Sequence, residues 1–288
     1  MCRNPELLVI RITAHSFTDT YLPETDTLIM PTPVRPKKAL GQHFLTDMNV
    51  AHRIADTISA DAVGSEYAPL PVIEVGPGTG VLTQFLIPEH SQLTAIELDG
   101  ESVEYLVHAY PQLPVVADDF LRLDLCKIYP EQFMVIGNYP YNISSQIFFK
   151  VLELREHIPV VAGMLQREVA QRICAAPGSK VYGILSVLLQ AWYDCEYLFT
   201  VDENVFAPPP KVKSGVIRLT RNTRTILGCD ERKFKTVVKT SFGMRRKTLR
   251  NSLAGLMSPG STLGGDPILQ KRPEQLSVEE FIDITNRL

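Results

Sequence analysis

Few folds accommodate the order in which Pro71-Val72-Ile73-Glu74-Val75 runs into Gly76-Pro77-Gly78-Thr79-Gly80 and then into Val81-Leu82-Thr83-Gln84-Phe85-Leu86. The first run is short, apolar and β-rich, the second is a loop whose glycines let backbone approach a ligand, and the third opens a helix. That succession predicts an α/β protein with a nucleotide-like ligand at the carboxyl end of the strand. The spacing is Gly-x-Gly-x-Gly rather than the Gly-x-Gly-x-x-Gly of dinucleotide sites, so no pyrophosphate grip is expected. The next strand, Leu93-Thr94-Ala95-Ile96-Glu97, ends in an acid 17 positions after Gly80. A carboxylate there can accept from both hydroxyls of a ribose.

The same rhythm continues along the chain. Residues 113–117 read as a third strand ended by Asp118-Asp119, where an acid can accept from an exocyclic adenine amine or cap a helix. The apolar run Phe133-Met134-Val135-Ile136-Gly137 is a fourth, and it delivers Asn138-Tyr139-Pro140-Tyr141 to the same edge. Asn138 offers an amide donor and an acceptor, Pro140 stiffens the turn and Tyr141 supplies a flat face with a polar tip. An exocyclic amino group on an aromatic ring fits such a loop. Taken alone, the loop also reads as turn chemistry with a core tyrosine behind it. A helix opens at Ser144, a fifth strand covers 159–166, helices cover 167–175 and 182–193, and further strands cover 195–201 and 213–220. Between the last two lies Phe206-Ala207-Pro208-Pro209-Pro210-Lys211-Val212, a rigid extended segment whose Phe206 is either a stacking platform or a core plug.

At 288 residues a large domain with a small appendage is the first expectation. A change of texture after Thr220 puts the boundary near residue 222, with helices at 234–239 and 247–250 and a Ser/Gly/Pro loop at 258–266. The capping-box pattern Ser277-Val278-Glu279-Glu280 opens a last helix. Hydrophobic content of 45% with 21% charged residues fits a globular protein, and no apolar run nears the ~20 residues that span a bilayer. The five cysteines are scattered, without Cys-x-x-Cys or a His spacing that completes a zinc site. They suit a reducing cytosol and predict no metal. Net charge is −3, yet residues 205–250 hold thirteen basic side chains against two acids, a local +11. An RNA-facing surface is expected there, carried by Lys211, Lys213, Arg245, Arg246 and Lys247 among others.

Upstream, residues 1–29 contain one strand-like patch at 7–12 and no partner strand, and the run after Glu6 is too short for a signal peptide. The expectation is a loosely held extension, with Met30 as the start of the working protein and the large domain occupying 30–222. Arg35, Lys37 and Lys38 then lead into Gly41-Gln42-His43-Phe44-Leu45 ahead of an amphipathic helix with Val50, Ile54 and Ile58 on one face.

Assembled in order, these residues resemble the S-adenosylmethionine-dependent adenine N6-dimethyltransferases of ribosomal RNA. The similarity runs from about Lys37 to Leu288, through 41–45, 74–80, Glu97, Asp119, 138–144, 165–169, Tyr182-Gly183 and 208–214. The small-subunit branch fits best. The resemblance implies a Rossmann-like class I methyltransferase domain, with a mostly parallel seven-stranded sheet and a reversed terminal hairpin. It also implies a small all-helical domain over 223–288. His43 and Leu45 would then lie against the cofactor, Gly76 and Gly78 would pass under its methionine part, Glu97 would hold the ribose and Asp119 would meet the adenine amine. Asn138 would border both cofactor and target base. Two positions depart from the family's usual residues: His43 stands where Asn is more frequent, and Tyr139 where Leu is.

The chemistry expected of the loop follows from the target. An adenine N6 lone pair is delocalised into the ring, so Asn138 and the Tyr139 carbonyl, accepting its protons, would draw the nitrogen toward sp³ and expose it for inline attack on a sulfonium methyl. No strong base is needed, because the alkylated nitrogen becomes acidic. Tyr141 and Phe206 would sandwich the extruded base. The function implied is dimethylation of two adjacent adenosines in the 3′-terminal hairpin of 16S rRNA within the small subunit, by a cytoplasmic monomer. The alternatives are a large-subunit rRNA methyltransferase of the erythromycin-resistance type and a non-catalytic assembly factor on the same fold.

Overall fold

The structure is a computed structural model that describes residues 9–10, 34–37, 40–258 and 261–288. Its strands are β1 (Val9–Ile10), β2 (Phe44–Leu45), β3 (Val72–Val75), β4 (Leu93–Glu97), β5 (Val115–Ala117), β6 (Met134–Asn138), β7 (Val160–Gln166), β8 (Tyr193–Val201), β9 (Phe206–Ala207) and β10 (Ser214–Arg221). Its helices are α1 (Met48–Ala55), α2 (Ala60–Val63), α3 (Thr83–Glu89), α4 (Gly100–Ala109), α5 (Ser144–Glu153), α6 (Arg167–Ile173), α7 (Ile184–Gln190), α8 (Glu231–Gly243), α9 (Leu249–Ser252) and α10 (Val278–Arg287).

Eight strands form one sheet in the order β1-β5-β4-β3-β6-β7-β10-β8. β5, β4, β3, β6 and β7 run parallel, and β10 is reversed against both β7 and β8. Seven of these strands are the ones expected; the eighth is β1. Sequence alone offers the patch around it no partner, but the free edge of β5 supplies one, with Val9 opposite Val116 and Ile10 opposite Val115. The other expectations for 1–29, and that for Met30, lie outside the described residues.

Alternation along the parallel strands sends their side chains to two cores, one on each face. Val72, Ala95, Val115, Met134 and Ile136 pack toward α1, α3 and α4, while Ile73, Val75, Ile96, Val116 and Val135 pack toward α5 and α7. The chain starts at β3, moves outward through β4 and β5, then returns to β6 on the other side of β3. The sheet's order therefore reverses between β3 and β6, and a crevice opens there at their carboxyl ends.

The helix expected over 182–193 is shorter, and Tyr193 instead opens β8, its hydroxyl donating to the Ile158 carbonyl at 2.8 Å. An apolar run next to a buried edge suits either element, and pairing with β10 decides it. In the carboxyl-terminal part, α10 begins at the predicted capping box, with the Ser277 hydroxyl accepting from the Glu280 amide and the Glu280 carboxylate from the Ser277 amide. The core on the α5 and α7 face runs on without a break into Phe234, Val238, Phe281 and Ile284, so no gap in packing marks residue 222.

Candidate active site

A cavity of about 180 Å³ occupies the crevice between the ends of β3 and β6. Its floor is the glycine loop after β3. Gly78 has φ +58°, and a Cβ there would meet the Phe44 ring at 3.0 Å, so only glycine lets the loop lie flat beneath that ring. Glu97, at the end of β4, is 5% exposed and clamped by backbone: one carboxylate oxygen accepts from the Gly78 amide at 3.0 Å and the other from the Asp99 amide at 2.8 Å. Burial raises its pKa, and those amides pull it back. Each oxygen keeps lone-pair capacity toward the cavity, as a diol acceptor requires.

Glu74 is the acid that sequence reasoning passed over. It sits inside β3 at 1% exposure, accepts from the Thr83 hydroxyl at 2.7 Å through one oxygen, and has its other oxygen unpartnered on the cavity wall. Burial pushes its pKa up to about 8, with the nearby Glu97 charge adding to the rise. The available signal was a lone acid amid Val72, Ile73 and Val75, which no structural role for a buried strand explains.

Asp119 lines the cavity and also serves its own turn, accepting from the Leu121 amide at 2.9 Å and pairing with Arg122 at 3.4 Å; no helix begins there for it to cap. Opposite stands the loop after β6. The Asn138 amide nitrogen donates to the His43 carbonyl at 3.4 Å, which orients the side chain. Tyr139 turns its ring into the core, where its hydroxyl donates to the Ala162 carbonyl at 2.7 Å. Only its backbone is left for the cavity. Tyr141 is half-buried, its hydroxyl held by the Ser214 hydroxyl and its ring 5.5 Å from that of His43. His43 in turn donates through Nδ1 to the Pro208 carbonyl at 2.8 Å.

The cavity thus brings together His43, Leu45, Gly76, Gly78, Glu97, Asp119, Asn138, Tyr139, Pro140 and Tyr141. Phe206 is the exception. It is 4% exposed, paired through its backbone with Leu45 and packed in the core, so it has no free face for a base and the His43 ring, not Phe206, lies beside Tyr141. Phe44, Leu98 and Asn142 also line the cavity and carried no signal of their own.

The basic segment is less one-sided in space than in sequence. Lys213 pairs with Asp202, Arg218 with Glu196, Arg221 with Glu156, Arg224 with Glu279 and Arg245 with Glu274. Arg246, Lys247 and Lys211 are exposed and make no ion pair among the described residues. The four described cysteines are free, and among the described residues no helix is long and apolar enough to cross a membrane.

The glycine loop and Glu97 line one wall of the cavity and the Asn138–Tyr141 loop the other, at the carboxyl ends of a Rossmann-like sheet, and the fold is of the class I methyltransferase type. Ribosomal RNA small subunit methyltransferase A of Parabacteroides distasonis is 62% identical over 88% of this chain and 93% of its own length. The enzyme of the same name from Bacteroides thetaiotaomicron is 58% identical over 88% and 94%. Among solved structures, a dimethyladenosine transferase from Plasmodium falciparum shares the fold at TM-score 0.69 and 22% identity over 84% of this chain and 96% of that one. The 23S rRNA methyltransferase ErmE is similar at TM-score 0.58 and 27% identity over 84% and 99%. The sequence model described as ribosomal RNA adenine dimethylase matches residues 34–288, and the chain belongs to that family.

Proposed function

We propose that this chain is an S-adenosylmethionine-dependent rRNA adenine N6-dimethyltransferase that modifies two adjacent adenosines in the 3′-terminal hairpin of 16S rRNA within the small subunit, in the cytoplasm. The observation that carries the reading is the Asn138–Tyr141 loop facing Glu97 and the glycine loop across one cavity. The residues present fit the cofactor. Glu97 is a buried, backbone-clamped acceptor for the ribose, Asp119 an acceptor for the adenine amine, and Gly76 and Gly78 leave room for the methionine part. When bound, the cofactor supplies an electrophilic methyl group on a sulfonium.

The chain's own part is positioning. Asn138 Oδ1 and the Tyr139 carbonyl accept hydrogen bonds from the N–H groups of the target amine and free its lone pair from the ring, and the proton shed after methylation passes to water. Tyr141 stacks on the extruded base, its ring fixed by Ser214. No titratable side chain is needed as a base, and the Tyr139 hydroxyl, committed to Ala162, is out of play. The exposed Lys211, Arg246 and Lys247, together with partly paired Lys213 and Arg245, meet the RNA backbone, with 223–288 as the RNA-facing region.

ErmE keeps the large-subunit alternative in view, but its 27% identity is far below the 55% to 62% of relatives named for the small subunit. The deciding experiment incubates unmethylated small and large subunits separately with labelled cofactor and maps the label. Label at adenine N6 of the 3′-terminal hairpin supports the reading. Label in large subunits alone gives the alternative, and no label in either gives a binding factor.

A further inference from the structure

Residues 40–45 form a strap along one side of the cavity, and Lys37, upstream of them, ties it to the ribose side. Its ammonium bridges Asp99 and Glu101, the latter at 3.0 Å. Its amide donates to the Gln42 side chain at 2.8 Å and its carbonyl accepts from the Leu40 amide at 3.0 Å, so Lys37 is bonded directly to the cavity-lining turn. Beyond that turn, Gly41 at φ +65° closes against Asn142, and the His43 carbonyl meets Asn138. Among the described residues, Lys37 makes the ion pairs that join this part of the chain to Asp99, in the loop after Glu97, and to Glu101, in the first turn of α4.

Asp99 carries the tie inward. Its side chain is 3% exposed against 38% for Lys37, and it also accepts from the Ser102 hydroxyl at 3.1 Å. Burial pushes the Asp99 carboxyl up, but Lys37, Ser102 and Gln42 bring it below the usual carboxylate range. It is a charge that the fold buries only because partners meet it. The amide of the same residue donates to Glu97 at 2.8 Å. One residue therefore joins the strap, through its side chain, to the ribose acceptor, through its backbone.

We infer that Lys37 is a positioning residue for cofactor binding, acting through Asp99 to hold Glu97 in register and the strap along the cavity, an inference that rests on the reading of the cavity given above. An exposed ion pair by itself contributes little, but one that fixes the backbone donor to a ligand-holding carboxylate controls how long the ligand stays.

The test uses the full chain with S-adenosylmethionine and unmethylated small subunits. Lys37→Met should raise the cofactor Kd and KM about tenfold, chiefly through faster release. It should lower kcat at saturating cofactor by less than about twofold and leave the KM for small subunits unmoved. Lys37→Arg should restore the cofactor KM. Asp99→Asn should repeat the Lys37→Met effect, and the double variant should be no worse than either single one, because both break one path. Wild-type cofactor affinity in Lys37→Met, additive losses in the double variant, or a fall in kcat matching the rise in KM would overturn the inference. A wild-type protein that does not bind S-adenosylmethionine would overturn the reading of the cavity and the role of Lys37 with it. Tight binding by the wild type and by Lys37→Met alike would overturn the role of Lys37 alone.

Discussion

The two walls of the cavity are built on opposite principles. The wall at the ends of β3 and β4 buries two carboxylic acids, Glu74 and Glu97, and holds them with backbone amides and the Thr83 hydroxyl. The wall at the end of β6 carries no charge. It offers an amide, a backbone carbonyl and a tyrosine ring whose hydroxyl is already engaged. The difference separates two tasks. On the proposed reading, buried carboxyls grip a ligand with hydroxyl and amine donors on one side, while a base is only oriented and stacked on the other.

Substitutions on the two walls should therefore fail differently. The largest effect is expected at Asn138→Ala, which removes the amine acceptor: single-turnover methylation should fall on the order of 100- to 1,000-fold, by analogy with loss of one transition-state hydrogen bond. Near-normal turnover would erase the neutral wall's role. Glu97→Ala should cost about 1 to 3 kcal/mol of cofactor affinity by calorimetry, since two hydroxyls lose a buried acceptor. Unchanged affinity would take Glu97 out of the site. Tyr141→Ala should be milder, near about 1 kcal/mol in RNA binding, the low end for a stacked base, because Phe206 is not there to close the sandwich. A loss as large as that at Asn138 would mean the tyrosine does more than stack.

A separate effect, outside that ordering, concerns stability alone. Glu74, with its folded pKa raised from 4.5 to about 8, keeps a proton that the unfolded chain has released across that window. The folded state binds more protons there, so stability is full below pH ~4.5 and is lost as pH rises toward ~8. Glu97, also raised by burial, adds to the same slope. Thermal melting of the cofactor-free protein should show the decline, and Glu74→Gln should flatten it. An unchanged slope in that variant would show that Glu74 is ionised in the fold.

What could be read in advance was whatever the chain encodes locally. Each parallel strand is an apolar run stopped by a loop, so β3, β4 and β6 and the residues at their ends, Glu97 and Asn138, were legible before any coordinates. The position of Phe206 was not. Its burial comes from pairing with Leu45 and from the core around both, contacts that span most of the chain. The pairing within the basic segment was not legible for the same reason, because Glu156, Glu196 and Glu279, which neutralise three of its arginines, are remote in sequence. The partner of Lys37 lies 62 residues away, and no spacing rule links them.

The most direct test crosses the two walls in one measurement: single-turnover methylation of small subunits by Asn138→Ala and Glu97→Ala, each titrated with cofactor. The account predicts that Asn138→Ala saturates at the wild-type cofactor concentration but barely transfers, whereas Glu97→Ala needs more cofactor and then transfers at a rate approaching wild type. If both variants lose affinity and rate together, the cavity does not divide its work between a charged wall and a neutral one, and the account is wrong.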